Sequence, residues 1–89
     1  MRYIYPAVFH PELNGGYTVY FPNIKRGATQ GETIAECIDM AEDFLCLALY
    51  RMEDEKEQIP EPSNINNIIS EPNDIVTLIS VDTDYYRRN

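Results

Sequence analysis

The sequence has 89 residues, a formal net charge of -8 at pH 7 and a hydrophobic fraction of 44%. This length predicts a single domain over residues 1–89, because much shorter units do not bury a core of their own. The composition excludes a disordered chain. No apolar run reaches the roughly 18 residues of a membrane-spanning helix, and the N-terminus lacks a secretory leader pattern. We therefore expect a soluble cytoplasmic protein.

Three strands are predicted in the first third of the chain. Arg2 to Phe9 alternates apolar side chains on two faces, which is typical of a strand. Asn14-Gly15-Gly16 predicts a hairpin turn because these residues tolerate positive φ, and Tyr17 to Phe21 alternates again. A turn at Pro22-Asn23 leads to a short third strand predicted over Gly27 to Gln30.

A long helix is predicted next, from Ile34 to about Glu53. Thr33 and Glu36 form a capping box: the Thr33 hydroxyl accepts from the Glu36 amide, and the Glu36 carboxylate accepts from the Thr33 amide. One apolar stripe of this helix predicts the face that packs on the sheet. It comprises Ile34, Ile38, Ala41, Leu45, Ala48, Leu49 and Met52, with Cys37 and Phe44 on its flank.

Four other apolar side chains lie off the stripe, at Met40, Cys46, Leu47 and Tyr50. They predict a second contact, either with the segment after the helix or with another chain. A polar connection over residues 54–73 follows, in which Ile65, Ile68 and Ile69 favour a short helical turn. Asp74 to Val81 is rich in β-branched residues and predicts the last strand. The expected fold class is α+β: a small antiparallel sheet in the order β-β-β-α-β, with one long helix on one face.

The negative charge is concentrated in one segment. Residues 32–61 hold ten acids against Arg51 and Lys56, and the rest of the chain balances five acids with five bases. Such a segment repels phosphates and favours a basic partner. The alternative interpretation is a solvated helix surface without a partner.

The residue types predict no catalysis and no cofactor. His10 is the only imidazole, and no CxxC pair is present, so we expect no metal site. A two-metal nuclease needs carboxylates that converge from different strands, and the predicted strands carry almost none. The small basic pairs Lys25-Arg26 and Arg87-Arg88 do not predict binding of DNA or RNA by this chain alone. We therefore expect neither an enzyme nor a nucleic-acid-binding protein.

Several segments, taken in order and spacing, resemble the HicB antitoxin family. They are Tyr5-Pro6-Ala7-Val8-Phe9, Gly16-Tyr17, Phe21-Pro22, Thr29-Gln30-Gly31-Glu32-Thr33 with Glu36 and Ala41, and Ile59-Pro60-Glu61-Pro62-Ser63. Ile75 to Asp82, followed by Tyr86-Arg87-Arg88, resembles the family's last strand and exit. The chain departs from the family pattern at Lys25-Arg26-Gly27-Ala28, where an apolar segment is usual. Pro6 is also unusual, because it removes a ladder donor from an inner strand.

The resemblance implies a partial ribonuclease-H-like fold: three antiparallel strands, a helix, and a strand parallel to the first, without catalytic carboxylates. It implies an antitoxin of a type II pair that binds and occludes a HicA-like toxin, a small basic protein that cleaves mRNA. Many family members also carry a C-terminal DNA-binding module, which would begin where this sequence stops. The alternatives are a HicB-like regulatory domain with another partner, or a fragment of an operon autorepressor.

A basic toxin should meet the densest acid on this chain. The residues predicted to bind the partner are Glu36, Asp39, Asp43, Leu47, Tyr50, Glu53, Asp54 and Glu55. Within this set the acids supply attraction, and Leu47 and Tyr50 supply apolar anchors. Small size and the off-stripe side chains also predict a homo-oligomer.

Overall fold

The computed structural model describes residues 1–87, so Arg88 and Asn89 of the predicted exit lie outside the described residues. Its elements are β1 (Arg2–Pro11), β2 (Tyr17–Phe21), β3 (Ile24–Gly31), α1 (Ile34–Asp54), a 3₁₀ turn (Ile65–Asn67), β4 (Ile75–Asp82) and α2 (Asp84–Arg87). The short helical turn predicted in the connection is thus present. Neither α1 nor any other helix in the described range is long and apolar enough to cross a membrane.

The four strands form one sheet in the order β3-β2-β1-β4, with every neighbouring pair antiparallel. α1 packs on one face of this sheet. The predicted α+β class, with a small antiparallel sheet and one long helix, is therefore confirmed.

The direction of β4 differs from the expectation. The resemblance implied a last strand parallel to β1, but β4 runs antiparallel to it, from Ile75 beside Phe9 to Asp82 beside Arg2. The connection over residues 55–74 explains the reversal. α1 ends beside the start of β1, and the connection then carries the chain back to the far end of β1, where β4 begins. A strand that starts at that end can only run back along β1 in the opposite direction.

The hydrophobic core lies between α1 and the sheet. β1 contributes alternate side chains to it, Tyr5, Ala7 and Phe9, which are at most 1% exposed. The other buried members of the cluster are Val19, Phe21, Ile24, Cys37, Ala41, Leu45, Cys46, Ala48, Leu49, Met52, Ile79 and Val81. Every residue from Tyr5 to Phe9 is buried, but only the alternate side chains Tyr5, Ala7 and Phe9 belong to the core under α1, because successive side chains of a strand point to opposite faces of the sheet.

The start of α1 follows the predicted capping box with one change. The Glu36 amide donates to the Thr33 hydroxyl over 3.1 Å, as expected. The Glu36 carboxylate, however, accepts from the amide of Glu32, over 3.0 Å, and not from that of Thr33. The box therefore satisfies an amide one residue further out, and it ties β3 to the helix start.

The buried stripe of α1 is rotated relative to the prediction at its first turns. Cys37 is fully buried, whereas Ile34 and Ile38 remain 37% and 38% exposed. The close approach of β3 decides this: a Cβ added to Gly31 would lie 2.8 Å from both the amide nitrogen and Sγ of Cys37. The strand thus meets the helix on the Cys37 side, which turns the two isoleucines outward.

The two unusual segments are both accommodated within strands. β3 begins at Ile24, three residues before the predicted start, because the Ile24 side chain is buried. It continues through Lys25-Arg26-Gly27-Ala28 with φ +113° at Gly27. Pro6 pairs with Leu78 of β4, but pairing of β1 with β2 begins only at Val8. Pro6 therefore lies where β1 has a strand on one side only, a position at which sheets tolerate proline.

The sheet face opposite α1 is covered in part by the connection. Val8 on this face is fully buried, and it pairs with Tyr20 of β2. Ile69 and Ser70 line a groove together with Tyr20, which places the connection on this side. Asn23 anchors it further along: its side chain bonds both the amide and the hydroxyl of Ser63.

Candidate partner-binding surface

The outward face of α1 carries the first three predicted partner residues. Glu36, Asp39 and Asp43 are all exposed, on the side of the helix away from its buried stripe. Asp39 and Asp43 are four residues apart and therefore neighbours on the helix surface. None of the three is in an ion pair with a side chain of residues 1–86. This face presents uncompensated negative charge.

Leu47 lies at the side of α1 that faces β3. It is half-buried, and it lines a groove of about 330 Å³ with Phe44, Arg26 and Arg51. Phe44 stacks on Phe21 at 6.1 Å between ring centroids, which gives the groove an aromatic wall. Leu47 is thus accessible, but its immediate neighbours include two arginines.

Tyr50 is turned the other way, toward the end of the chain. Its ring stacks on that of Tyr86 in α2, with 5.5 Å between centroids, and Tyr85 meets Tyr86 edge-on. The second contact predicted for Tyr50 is therefore made by α2. The connection over residues 54–73 instead contacts Asn23 and the opposite sheet face.

Glu53 has a role inside the fold. It is half-buried, and its Oε2 accepts from the Tyr3 hydroxyl at 2.6 Å and the Thr83 hydroxyl at 3.0 Å. Glu53 thereby joins the end of α1 to the start of β1 and the end of β4. Its carboxylate is not part of the outward acidic face.

Asp54 and Glu55 are exposed where α1 ends. Lys56 follows with φ 57°, a left-handed conformation that stops the helix. A hydrogen bond with Glu57 raises the pKa of Glu55. Glu57 itself pairs with Arg26 of β3, and this pairing lowers the pKa of Glu57. Part of the acid at this end is therefore neutralised by β3.

Another groove, of about 300 Å³ and lined by acids, lies between α1 and β4. Glu42, Asp43, Asp82 and Tyr85 are among its lining residues. Sequence reasoning did not identify it, because Glu42 and Asp82 are 40 positions apart in the sequence. The only local signal was the adjacency of Glu42 and Asp43 on the helix.

The structure also brings His10 together with two carboxylates. His10 Nδ1 lies 2.6 Å from Asp74 Oδ1 and 3.2 Å from Glu71 Oε2. The bond with Asp74 raises the pKa of His10. The Glu71 amide, ahead of His10, lowers the pKa of Asp74. The three ligand atoms lie within 4.8 Å of one another, close enough to hold a metal ion. Sequence analysis did not predict this cluster.

Both oxygens of Asp74 already have partners within the protein. Oδ1 faces His10, and Oδ2 accepts from the Glu71 amide at 2.9 Å. The Asp74 amide in turn donates to the Glu71 carbonyl at 3.0 Å, which closes a tight turn before β4. The contacts of this cluster therefore hold the connection against β1.

The arrangement of acids bears on metal-dependent cleavage. The strand segments β1, β2 and β3 contain no aspartate or glutamate, and β4 contains only Asp82. A two-metal site needs several carboxylates at one place on the sheet. Most acids of this chain are instead distributed along α1 and the connection.

Comparison with known proteins identifies several relatives. The family described as "HicB_like antitoxin of bacterial toxin-antitoxin system" matches residues 5–89. "Antitoxin HicB" of Escherichia coli (strain K12) is 41% identical over 63 residues, which cover 71% of this chain and 46% of that protein. The chain thus spans less than half the length of this relative.

Solved structures share the fold. A chain of a "Toxin-Antitoxin complex from Streptococcus pneumoniae" has a TM-score of 0.84 at 26% identity, over 97% of this chain and 73% of that chain. A chain of a "HicA3 and HicB3 toxin-antitoxin complex" has a TM-score of 0.70 at 23% identity, over 90% of this chain and 99% of that chain.

Proposed function

The chain belongs to the HicB-like antitoxin family of bacterial toxin–antitoxin systems, and we propose that it neutralises a small basic HicA-like toxin by binding it directly. A toxin that cleaves mRNA needs a cationic surface for the RNA backbone. An antitoxin that covers this surface prevents cleavage by occlusion. The structural relative taken from a HicA3–HicB3 complex supports this kind of partner.

The observation that carries the proposal is the uncompensated acid of α1. Glu36, Asp39 and Asp43 are exposed and form no ion pair with the side chains of residues 1–86, and residues 32–61 account for the whole net charge of -8. Complementary charge speeds the encounter of two proteins and selects the partner. Asp54 and Glu55 extend the same negative potential to the end of the helix.

Apolar contacts must supply most of the holding energy, because an exposed ion pair contributes only about 0 to 1 kcal/mol. Leu47 is an accessible apolar candidate on α1, and Tyr50, whose ring stacks on Tyr86, is the second predicted anchor. Glu53 contributes through the fold, since its carboxylate orients the end of α1.

The proposal is tested by coexpression with the small basic protein encoded by the adjacent open reading frame. We expect that protein alone to arrest growth, and the pair to restore it and to copurify. The variant Asp39→Lys/Asp43→Lys should slow association in stopped-flow measurements and reduce its dependence on salt. Leu47→Ala should instead speed dissociation.

A matched control reverses two acids away from α1, in the variant Glu12→Lys/Glu61→Lys. It changes the net charge by the same amount and should leave the association rate much closer to that of the wild type. Equal slowing by both variants would assign the effect to net charge and remove α1 from the interface. Growth arrest that coexpression fails to relieve would contradict the antitoxin function itself.

We further propose that the chain is not an enzyme. The sparse acid of the strands gives no constellation for metal-dependent cleavage. Purified protein incubated with RNA and Mg²⁺ or Mn²⁺ should leave the RNA intact. Cleavage that disappears in Asp39→Asn or Asp43→Asn would contradict this.

A further inference from the structure

β4 is an edge strand whose outer side is open. It pairs with β1 over eight residues in an unbroken register, from Arg2 opposite Asp82 to Phe9 opposite Ile75. Within residues 1–87, no backbone hydrogen bond joins its outer side to another segment. The 3₁₀ turn touches β4 without bonding to its backbone. About half of the amides and carbonyls of such a strand point away from its neighbour.

The two edges of the sheet differ in how they are protected. β3 carries Lys25 and Arg26, a glycine with φ +113° at Gly27, and a shift in its register with β2. Charges and irregularities of this kind prevent an edge from pairing with foreign strands. β4 contains no lysine, arginine, proline or glycine, and it exposes Leu78 at 52% and Ile75 at 38%. The sequence of β4 thus leaves the edge competent to pair.

The acidic groove between α1 and β4 lies directly beside this edge. Glu42 and Asp43 line it from the helix and Asp82 lines it from the strand. Glu42 and Asp43 are not in ion pairs among the described residues. Tyr85, which contacts the ring of Tyr86 edge-on, also lines this groove.

From these two features we propose that β4 is a docking edge for an extended basic segment of a partner protein. The segment adds to the sheet as a fifth strand, and its arginine or lysine side chains enter the groove between α1 and β4. Main-chain hydrogen bonds then hold the segment, and the groove selects for positive charge. Leu78 and Ile75 pack against its apolar side chains.

The charge of the groove decides between occupants. An acidic segment would be repelled by Glu42 and Asp43, which form no ion pair with any described side chain. A second copy of this chain would bring another molecule with net charge -8 to the same place. Only the assignment of this segment to a basic toxin rests on the proposed function. Asp43 links the two, because it belongs both to the groove and to the outward face of α1.

A peptide experiment tests the edge without the toxin. The probe is a peptide as long as β4 in which arginine and threonine alternate, and the reference peptide has glutamate in place of arginine. We expect the basic peptide to slow hydrogen exchange of amides in residues 75–82 by about tenfold or more, with no such effect in residues 24–31. The acidic peptide should leave both segments unchanged. Equal protection by both peptides, or by neither, would overturn the proposal.

Substitutions separate the strand from the groove. Leu78→Lys places a charge on the edge and should weaken binding of the basic peptide by roughly tenfold. Leu13→Lys, the same change at a fully exposed turn position, should have no effect. Glu42→Gln/Asp43→Asn should weaken binding and reduce its salt dependence. Thermal melts of each variant establish that it is folded, and weakening by Leu13→Lys equal to that by Leu78→Lys would contradict the proposal.

The complex with the toxin distinguishes this inference from the proposed function. A neutralised toxin that leaves exchange in residues 75–82 unchanged would overturn the docking edge and leave the antitoxin function intact. If the basic peptide protects residues 75–82 but the chain fails to neutralise the toxin, the docking edge stands and the antitoxin function is overturned. Protection that rises with protein concentration, in the absence of peptide, would assign β4 to a second copy and overturn the proposal.

Discussion

At the scale of single residues, neighbouring acids at the end of α1 have different roles: Glu53 stabilises the fold, whereas Asp54 is available for recognition. Its half-buried carboxylate accepts from the hydroxyls of Tyr3 and Thr83, whereas its neighbour Asp54 is exposed. Removing the Glu53 carboxylate would leave the two partly buried hydroxyl groups without this hydrogen-bond acceptor.

The first prediction follows for the pair Glu53→Ala and Asp54→Ala. Glu53→Ala should lower the free energy of unfolding by about 1 to 3 kcal/mol, because two hydrogen bonds are lost in partly buried surroundings. Asp54→Ala, its exposed control, should change it by less than about 0.5 kcal/mol. Urea denaturation followed by circular dichroism gives both values. Similar values for the two variants would show that the Glu53 contacts do not stabilise the fold.

The second prediction concerns pH and the pair of His10 with Asp74. The pKa of His10 is raised by Asp74, so its stabilising contribution is complete below the unfolded value near 6.5. It is lost as pH rises through the raised folded value. The difference in Tm between wild type and His10→Gln should therefore be large at pH 5.5 to 6.5 and shrink above it.

The pKa of Asp74 is lowered, so its own contribution disappears only as pH falls below the unfolded value of about 3.9. In an Asp74→Asn background the effect of His10→Gln should lose most of its pH dependence. A Tm difference between wild type and His10→Gln that stays constant from pH 5.5 to 9 would show that the ion pair contributes nothing.

At the scale of elements, the junction of β3 and α1 depends on the absence of a side chain at Gly31. Its φ is not in the left-handed region, so space and not backbone conformation requires glycine here. A Cβ at this position would meet the amide nitrogen, Cα and Sγ of Cys37 at 3.0 Å or less.

The third prediction is that Gly31→Ala destabilises the protein by roughly 1 to 3 kcal/mol, as overpacking does in a dense core. Because two of the three opposing atoms belong to the Cys37 backbone, the double variant Gly31→Ala/Cys37→Ala should not recover the lost stability. Thermal and urea unfolding of the two variants and of Cys37→Ala alone provide the measurement. Full recovery in the double variant would show that the sulfur alone causes the clash.

At the scale of the whole molecule, the charge and the remaining exposed apolar side chains set the expected associations. Ile34, Ile38 and Met40 are 37 to 38% exposed in the first two turns of α1. Such side chains favour self-association in a domain of this size.

The fourth prediction is therefore a homodimer or larger assembly at tens of micromolar, measured by light scattering coupled to size exclusion. Ile38→Lys/Met40→Lys should shift the population toward monomer, while Leu13→Lys should not. If the wild-type chain is a monomer, the prediction of self-association is wrong, and these side chains remain available for contact with the toxin.

The fifth prediction concerns DNA. The net charge of -8 opposes contact with phosphates, and the long helix α1 carries six acidic residues with Arg51 as its one basic residue. Residues 1–89 alone should give no specific band shift with the operator at physiological salt. A shift resisted by competitor DNA would contradict this.

The sequence by itself determined the local events. The glycines after Asn14 specify the hairpin, and both have positive φ; Thr33 specifies where α1 begins; alternation specifies β2 to the residue. The resemblance to the HicB family could also be identified from the sequence, because the motifs that carry it are short and occur in a fixed order. Each of these signals acts within four or five positions along the chain, so it does not depend on the rest of the fold.

Only the tertiary structure decided the direction of β4, the burial of Cys37 in preference to Ile34 and Ile38, and the meeting of His10 with Asp74. The direction of β4 depends on the path of the connection over residues 55–74. The burial of Cys37 depends on how closely β3 approaches α1. The contact of His10 joins positions 64 residues apart. Contacts of this kind form between distant segments, and no pattern within either segment encodes where the other will lie.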